Sequence, residues 1–186
     1  MPNLYIALVH HPVVNKCGER ITAAVTNLDL HDISRAAKTY GVRAFYVVTP
    51  LSDQKALVQK IVDHWIKGKG AVYNPKRRDA LELITIMDSI DEAVDHVCKI
   101  ERYRPLTVAT CARPGIKNIG FDQLREMLQS GRPYLLLFGT AWGFTEELMT
   151  GTDYLLAPIQ ANTGYNHLSV RSAVSIILDR LLGNSR

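Results

Sequence analysis

Apolar residues fall along this chain in two alternating rhythms. Short runs of aliphatic, β-branched and aromatic residues recur at 4–9, 42–48, 84–87, 106–109, 134–138 and 154–157 and read as buried strands. Between them, apolar positions three and four apart predict helices. Ile33, Ala36, Ala37 and Tyr40 make one face after the cap candidates Thr26, Asn27 and Asp29, and Gly41 closes that helix. Leu57, Val58, Ile61, Val62 and Trp65 make the face of a helix over 53–66, with Ser52 as its cap. A further helix runs from Pro75 to about Leu83, with proline at its first position. Ser89 and Glu92 form a capping box that opens a helix to about Tyr103, with Ile90, Ala93, Val94, Val97 and Ile100 inward. Shorter helices are expected over 121–128 and 145–149. The closing helix, 168–182, carries Val170, Val174, Ile177, Leu178 and Leu181 on one stripe. Strand and helix alternate throughout, so the expected class is α/β. The sheet is mostly parallel, has five or six strands and carries helices on both faces.

Composition narrows this picture without changing it. The 186 residues suit one domain over 1–186, no linker-like tract divides them, and 47% hydrophobic with 22% charged residues is ordinary for a globular chain. No apolar run approaches a membrane span and the amino end lacks a signal-peptide layout, so no membrane association is expected. Cys17, Cys98 and Cys111 are odd in number with no CxxC spacing, which points to a reduced, cytoplasmic setting. His10, His11 and Cys17 match no tetrahedral zinc spacing, and no metal is expected. The net charge of +4 is mildly basic. Its cations cluster at Lys67 with Lys69, Lys76-Arg77-Arg78, Arg102 with Arg104, and Arg113 with Lys117. Such clusters can neutralise phosphates, or can simply be solvated surface.

The candidate chemistry lies in three polar loops at the ends of apolar runs: 110–115, 139–143 and 158–167. Ligands in open α/β sheets sit in crevices at the carboxyl ends of strands. These loops hold no carboxylate pair, no Ser/His/Asp arrangement and no GxGxxG with a following acid, which argues against a Rossmann-type nucleotide enzyme. They offer backbone groups, hydroxyls and amides, which suit a neutral or zwitterionic ligand such as a nucleoside. Arg35, in the first predicted helix, is expected on general grounds to pair with Asp32 or Asp29.

The segments LLLFGTAWGF (135–144), YNHLSVRSAVSIILDRLL (165–182), TNLDLHDISRAAKTYG (26–41) and TVATCARPG (107–115) give the whole chain a resemblance to the SPOUT class of RNA methyltransferases. It is most similar to a small SpoU-like branch that is fused, in some bacteria, to a tRNA guanine methyltransferase. The resemblance implies a carboxyl-terminal trefoil knot, a homodimer with the closing helix in its interface, an RNA substrate (tRNA or rRNA) and S-adenosylmethionine as cofactor. By position, the implied cofactor-binding residues are Thr110 and Ala112, then Phe138, Gly139, Thr140 and Gly143. In the third loop they are Ile159, Gly164, Tyr165, Asn166, His167, Leu168 and Ser169. Arg35 matches, in R-x4-Y-G, the helical arginine that assists deprotonation of a ribose 2′-hydroxyl, while Asn27, Asp29 and His31 are further candidates for substrate contact or catalysis. Two departures stand out: Ala141 replaces a Glu common in the second loop, and His167 replaces an Asn. The first leaves a base nitrogen open as the target, and leaves a non-catalytic RNA-binding protein as the alternative.

Overall fold

The computed structural model describes residues 2–112 and 118–184. Arg113, Lys117 and the 113–115 end of the first loop lie outside the described residues. In chain order the elements are β1 (Leu4–Val9), β2 (Val13–Val14), β3 (Arg20–Ile21), α1 (Asn27–Thr39), β4 (Phe45–Val48), α2 (Ser52–Ile66), α3 (Lys69–Tyr73), α4 (Pro75–Leu81) and β5 (Ile84–Met87). They continue with α5 (Ile90–Glu101), β6 (Leu106–Thr110), β7 (Asn118–Ile119), α6 (Phe121–Met127), a 3-10 turn (Leu128–Ser130), β8 (Tyr134–Gly139), α7 (Glu146–Gly151), β9 (Tyr154–Leu156) and α8 (Val170–Leu182).

One sheet of seven strands organises the molecule, in the order β5-β4-β1-β8-β6-β9-β7. Every pairing in it is parallel. All six residues of β1 are buried, as are the first five of β8, because helices cover both faces. The two-residue period of a strand sorts these side chains. Leu4, Ile6, Leu8, Leu136 and Phe138 enter the core under α1, α2, α6 and α8. Tyr5, Ala7, Val9, Leu135 and Leu137 enter a second core with Ala93, Val94 and Val97 of α5 and with Leu148 and Met149 of α7.

Several expectations are corrected. The sheet has seven strands, not five or six, because β7 adds a two-residue edge strand. The antiparallel pair β2–β3 is likewise too short to leave a periodic signal. The predicted strand over 42–48 begins only at Phe45; the preceding turn uses Val42 N–H to close α1 onto the Ala37 carbonyl. Ser52 is the first helical residue of α2 and Leu51 precedes it as the cap, without a side-chain bond. Leu57 and Ile100 face solvent, at the margins of their helical stripes. Ser89 does cap α5, accepting from Glu92 N–H at 3.1 Å, but the Glu92 carboxylate returns to Asp88 N–H, one residue earlier than a capping box would have it. Gly68 precedes and Gly70 lies within a short helix, α3, that no apolar period announces.

Candidate active site

The strand order brings the three loops together. β8, β6 and β9 are consecutive neighbours, so the loops leaving their carboxyl ends line one edge of the sheet. Thr110 ends β6 and donates its hydroxyl to the Leu137 carbonyl at 3.0 Å, fastening the first loop to β8. Asn166, from the third loop, donates its side-chain amide to the Ala112 carbonyl at 3.0 Å and links the third loop to the first.

The second loop is held from the other side. Thr140 donates through its hydroxyl to the Val9 carbonyl at 3.0 Å. Trp142 N–H donates to the Val14 carbonyl at 3.1 Å, and Val14 N–H donates to Gly143 at 2.9 Å, so the β2–β3 hairpin clasps the loop. Ala141 and Gly143 both take positive φ, 52° and 100°. At Gly143 no protein atom lies within 4 Å of where a Cβ would stand, so the left-handed backbone there, and not crowding by the protein, calls for glycine. Gly139 differs: a Cβ would meet the Phe144 ring at 3.3 Å. The Phe138 side chain is buried in the core, which leaves only its backbone for a ligand.

The third loop is open. Residues 160–169 are exposed, and among the described residues none of 158–168 takes part in a backbone–backbone hydrogen bond. Ile159 is half-buried against the core, and Tyr165 and His167 set their rings edge to face at 6.4 Å. Ser169 caps α8, accepting from Ser172 N–H at 3.3 Å. The described parts of the three loops hold no carboxylate, and the third presents backbone groups without backbone partners, a donor set expected for a zwitterionic nucleoside cofactor.

Below the third loop, α8 packs on α1. Between the two helices lies a shallow groove of about 600 Å³, lined by Asp32, Arg35, Tyr40, Arg171, Ser172 and Ser175 among others. Tyr40, just past the end of α1, ties that helix to α8 by donating to Asp179 at 2.9 Å. Arg35 does not pair with Asp29 or Asp32. Arg171 takes both carboxylates instead, at 3.3 and 3.5 Å, and the Arg35 side chain is left in no ion pair or hydrogen bond among the described residues. Arg171 was not singled out from the sequence. Its signal was a cation in the first turn of a helix, where the macrodipole opposes positive charge unless carboxylates compensate.

The other α1 candidates differ in their freedom. Asn27 is exposed at the helix start. Asp29 is 7% exposed and engaged at both oxygens, accepting from Thr26 Oγ1 at 2.6 Å besides its pairing with Arg171. His31 is half-buried, edge-on to Trp65 at 5.5 Å; burial, then the nearby Arg77, lowers its pKa. Behind them His10, which the sequence offered only as a metal candidate, is fully buried at the end of β1, and burial pushes it down to about 4. His11 Nδ1 lies 2.9 Å from Thr22 Oγ1, and among the described residues no group of three or more His, Cys, Asp or Glu is placed to hold a metal ion.

A family model described as SAM-dependent RNA methyltransferase matches residues 3–183. The chain belongs to this family. Over 183 residues, 98% of its length, it is 44% identical to a tRNA (guanine-N(1)-)-methyltransferase of Oleidesulfovibrio alaskensis, and it spans 43% of that relative's length. Among solved structures it resembles a methylase family protein of Haemophilus influenzae, at 21% identity, with TM-score 0.64 over 97% of this chain and 65% of that one. It also resembles the SpoU methyltransferase AviRb of Streptomyces viridochromogenes in complex with AdoMet, at 19% identity, with TM-score 0.56 over 98% and 60%. These likenesses bear out the SPOUT-like α/β fold. The family is described as dependent on S-adenosylmethionine, and among the described residues of this chain no helix is long and apolar enough to cross a membrane.

Proposed function

We propose that this chain is a single domain that methylates tRNA at a ribose 2′-hydroxyl. The cofactor lies in the three loops and Arg35 faces the reacting ribose. The observation that carries the reading is the groove between α1 and α8. It begins at the first turn of α8, two residues beyond Ser169, and presents an arginine whose neighbouring carboxylates are engaged by Arg171. An unpaired guanidinium at that position favours an alkoxide over a hydroxyl and so assists loss of the 2′-proton. The tRNA substrate is supported by the likeness to the Oleidesulfovibrio tRNA methyltransferase.

Thr110, Ala112, Phe138, Gly139, Thr140, Gly143, Ile159, Gly164, Tyr165, Asn166, His167, Leu168 and Ser169 hold the cofactor, largely through backbone groups. Bound S-adenosylmethionine supplies a methyl group already activated by its sulfonium. What remains for the protein is to align the nucleophile, exclude water and accept charge. Asn27 and His31 contact the substrate, and Asp29 acts as a positioning residue through Arg171. The chain beyond β9 is threaded as a trefoil knot; in support, it leaves β9 on one side of β6 and returns as α8 to pack on α1 and β8 on the other. Two copies pair through α8.

Arg35→Ala should abolish methyl transfer to tRNA while calorimetric titration still finds about one S-adenosylmethionine per chain. Unimpaired transfer by the variant would remove Arg35 from the reaction. A second reading keeps the fold and RNA binding without catalysis, and Ala141 in place of the common Glu favours it; cofactor and tRNA binding by a chain that transfers no methyl group would establish it.

A further inference from the structure

The segment between α2 and β5 lies outside the methyl-transfer machinery, yet it is firmly built. From Lys67 to Arg78 it holds five cations and no carboxylate. Three are engaged. Lys67 pairs with Asp63 at 2.9 Å, Arg78 pairs with Asp79 and Glu82 at 3.2 and 3.5 Å, and the Arg77 guanidinium lies 4.6 Å from the Trp65 ring centroid. Lys69 and Lys76 are exposed and in no ion pair among the described residues. Between them, Val72 and Tyr73 stand 86% and 88% exposed.

This tip is presented on a rigid mount. Asn74 caps α4, accepting from Arg77 N–H at 3.1 Å, and Pro75 begins that helix. Gly70 sits so close to Trp65 that a Cβ would stand 2.7 Å from its ring. Trp65 in turn meets His31 of α1, the helix that carries Arg35. An exposed tyrosine flanked by unpaired lysines combines a stacking surface with phosphate neutralisation. Unpaired RNA bases are recognised by stacking on such rings. Protein interfaces, by contrast, are depleted in lysine.

We propose that α3 and α4 form an RNA-docking platform: Tyr73 stacks on an unpaired base of the substrate, and Lys69 and Lys76 neutralise the flanking phosphates. The proposal rests on the tRNA methyltransferase reading and extends it to where the substrate is gripped outside the reacting site.

Fluorescence anisotropy with end-labelled unfractionated tRNA, over a range of salt, tests it on K69E/K76E and on Tyr73→Ala. Lys99→Glu, on the opposite face of the sheet, serves as control. The charge reversal should weaken binding at least tenfold and flatten the salt dependence by about 0.7–0.9 per lost phosphate contact. Tyr73→Ala should weaken binding about fivefold or more with the salt slope kept. S-adenosylmethionine affinity and Tm should stay at wild-type values, and the control should bind tRNA as wild type does. Wild-type affinity and slope in both variants would overturn the proposal and assign the tip to a protein partner. Loss on charge reversal alone would overturn the stacking role of Tyr73. A wild-type chain that takes up no tRNA would instead bring down the tRNA reading, and this platform with it.

Discussion

Arg171 sets the electrostatics of the candidate site more than any other residue. It occupies Asp29 and Asp32, bridges α8 to α1, and so releases Arg35. Asp29→Ala should therefore destabilise the fold by about 2 kcal/mol, through loss of the Thr26 bond and of a pair whose carboxylate is buried and whose guanidinium is partly solvated. Urea unfolding of Asp29→Ala, Arg171→Ala and the double variant would measure it, and strict additivity of the two single changes would dismiss the coupling. His10 governs a pH term. Its folded pKa is about 4, below the usual 6.5, so between these values the unfolded chain takes up a proton that the folded chain refuses. Stability therefore falls as pH is lowered through that window. Between about pH 7 and 5 the wild type should lose about 2 kcal/mol more than His10→Gln, as read from urea midpoints; parallel losses would contradict it. Neither Arg171 nor His10 was legible in its role, because burial and ion pairing depend on which helix lands on which. Arg35, a motif residue, was visible at once.

At the scale of elements, legibility followed length and period. β1 and β5 match their predicted limits residue for residue; β1 is a continuous apolar run bounded by Asn3 and His10, which admits one reading. α3, β2, β3 and β7 escaped because two to five residues cannot complete a period. The three loops were visible as glycine-bearing, polar interruptions, but their bracing was not: the hairpin clasp on Trp142 and Gly143 joins residues distant in sequence. The third loop offers a test free of folding cost. Gly164 has open space around a Cβ and no positive φ, so Gly164→Val should leave Tm within about 1 °C while weakening S-adenosylmethionine at least tenfold, because the side chain fills space claimed by the ligand. Affinity within twofold of wild type, by calorimetry, would remove Gly164 from the cofactor site.

For the molecule as a whole, the strand order matters most. It is the insertion of β8 between β1 and β6 that makes the three loops neighbours, and such long-range pairing leaves no local trace in a sequence. The α/β class and two-sided helical cover followed from alternation alone; the SPOUT-like arrangement came through the resemblance and was borne out by the solved structures. The basic surface, diffuse as a count of charges, becomes specific only where α3 and α4 set two unpaired lysines beside an exposed tyrosine. The most direct test of the account is to incubate the chain with S-adenosylmethionine carrying a labelled methyl group and bulk tRNA, then digest the tRNA to nucleosides and identify the labelled one. The expected product is a labelled 2′-O-methyl nucleoside that vanishes with Arg35→Ala. Label on a base nitrogen would contradict the ribose assignment, and no label from a chain that binds both cofactor and tRNA would contradict catalysis itself.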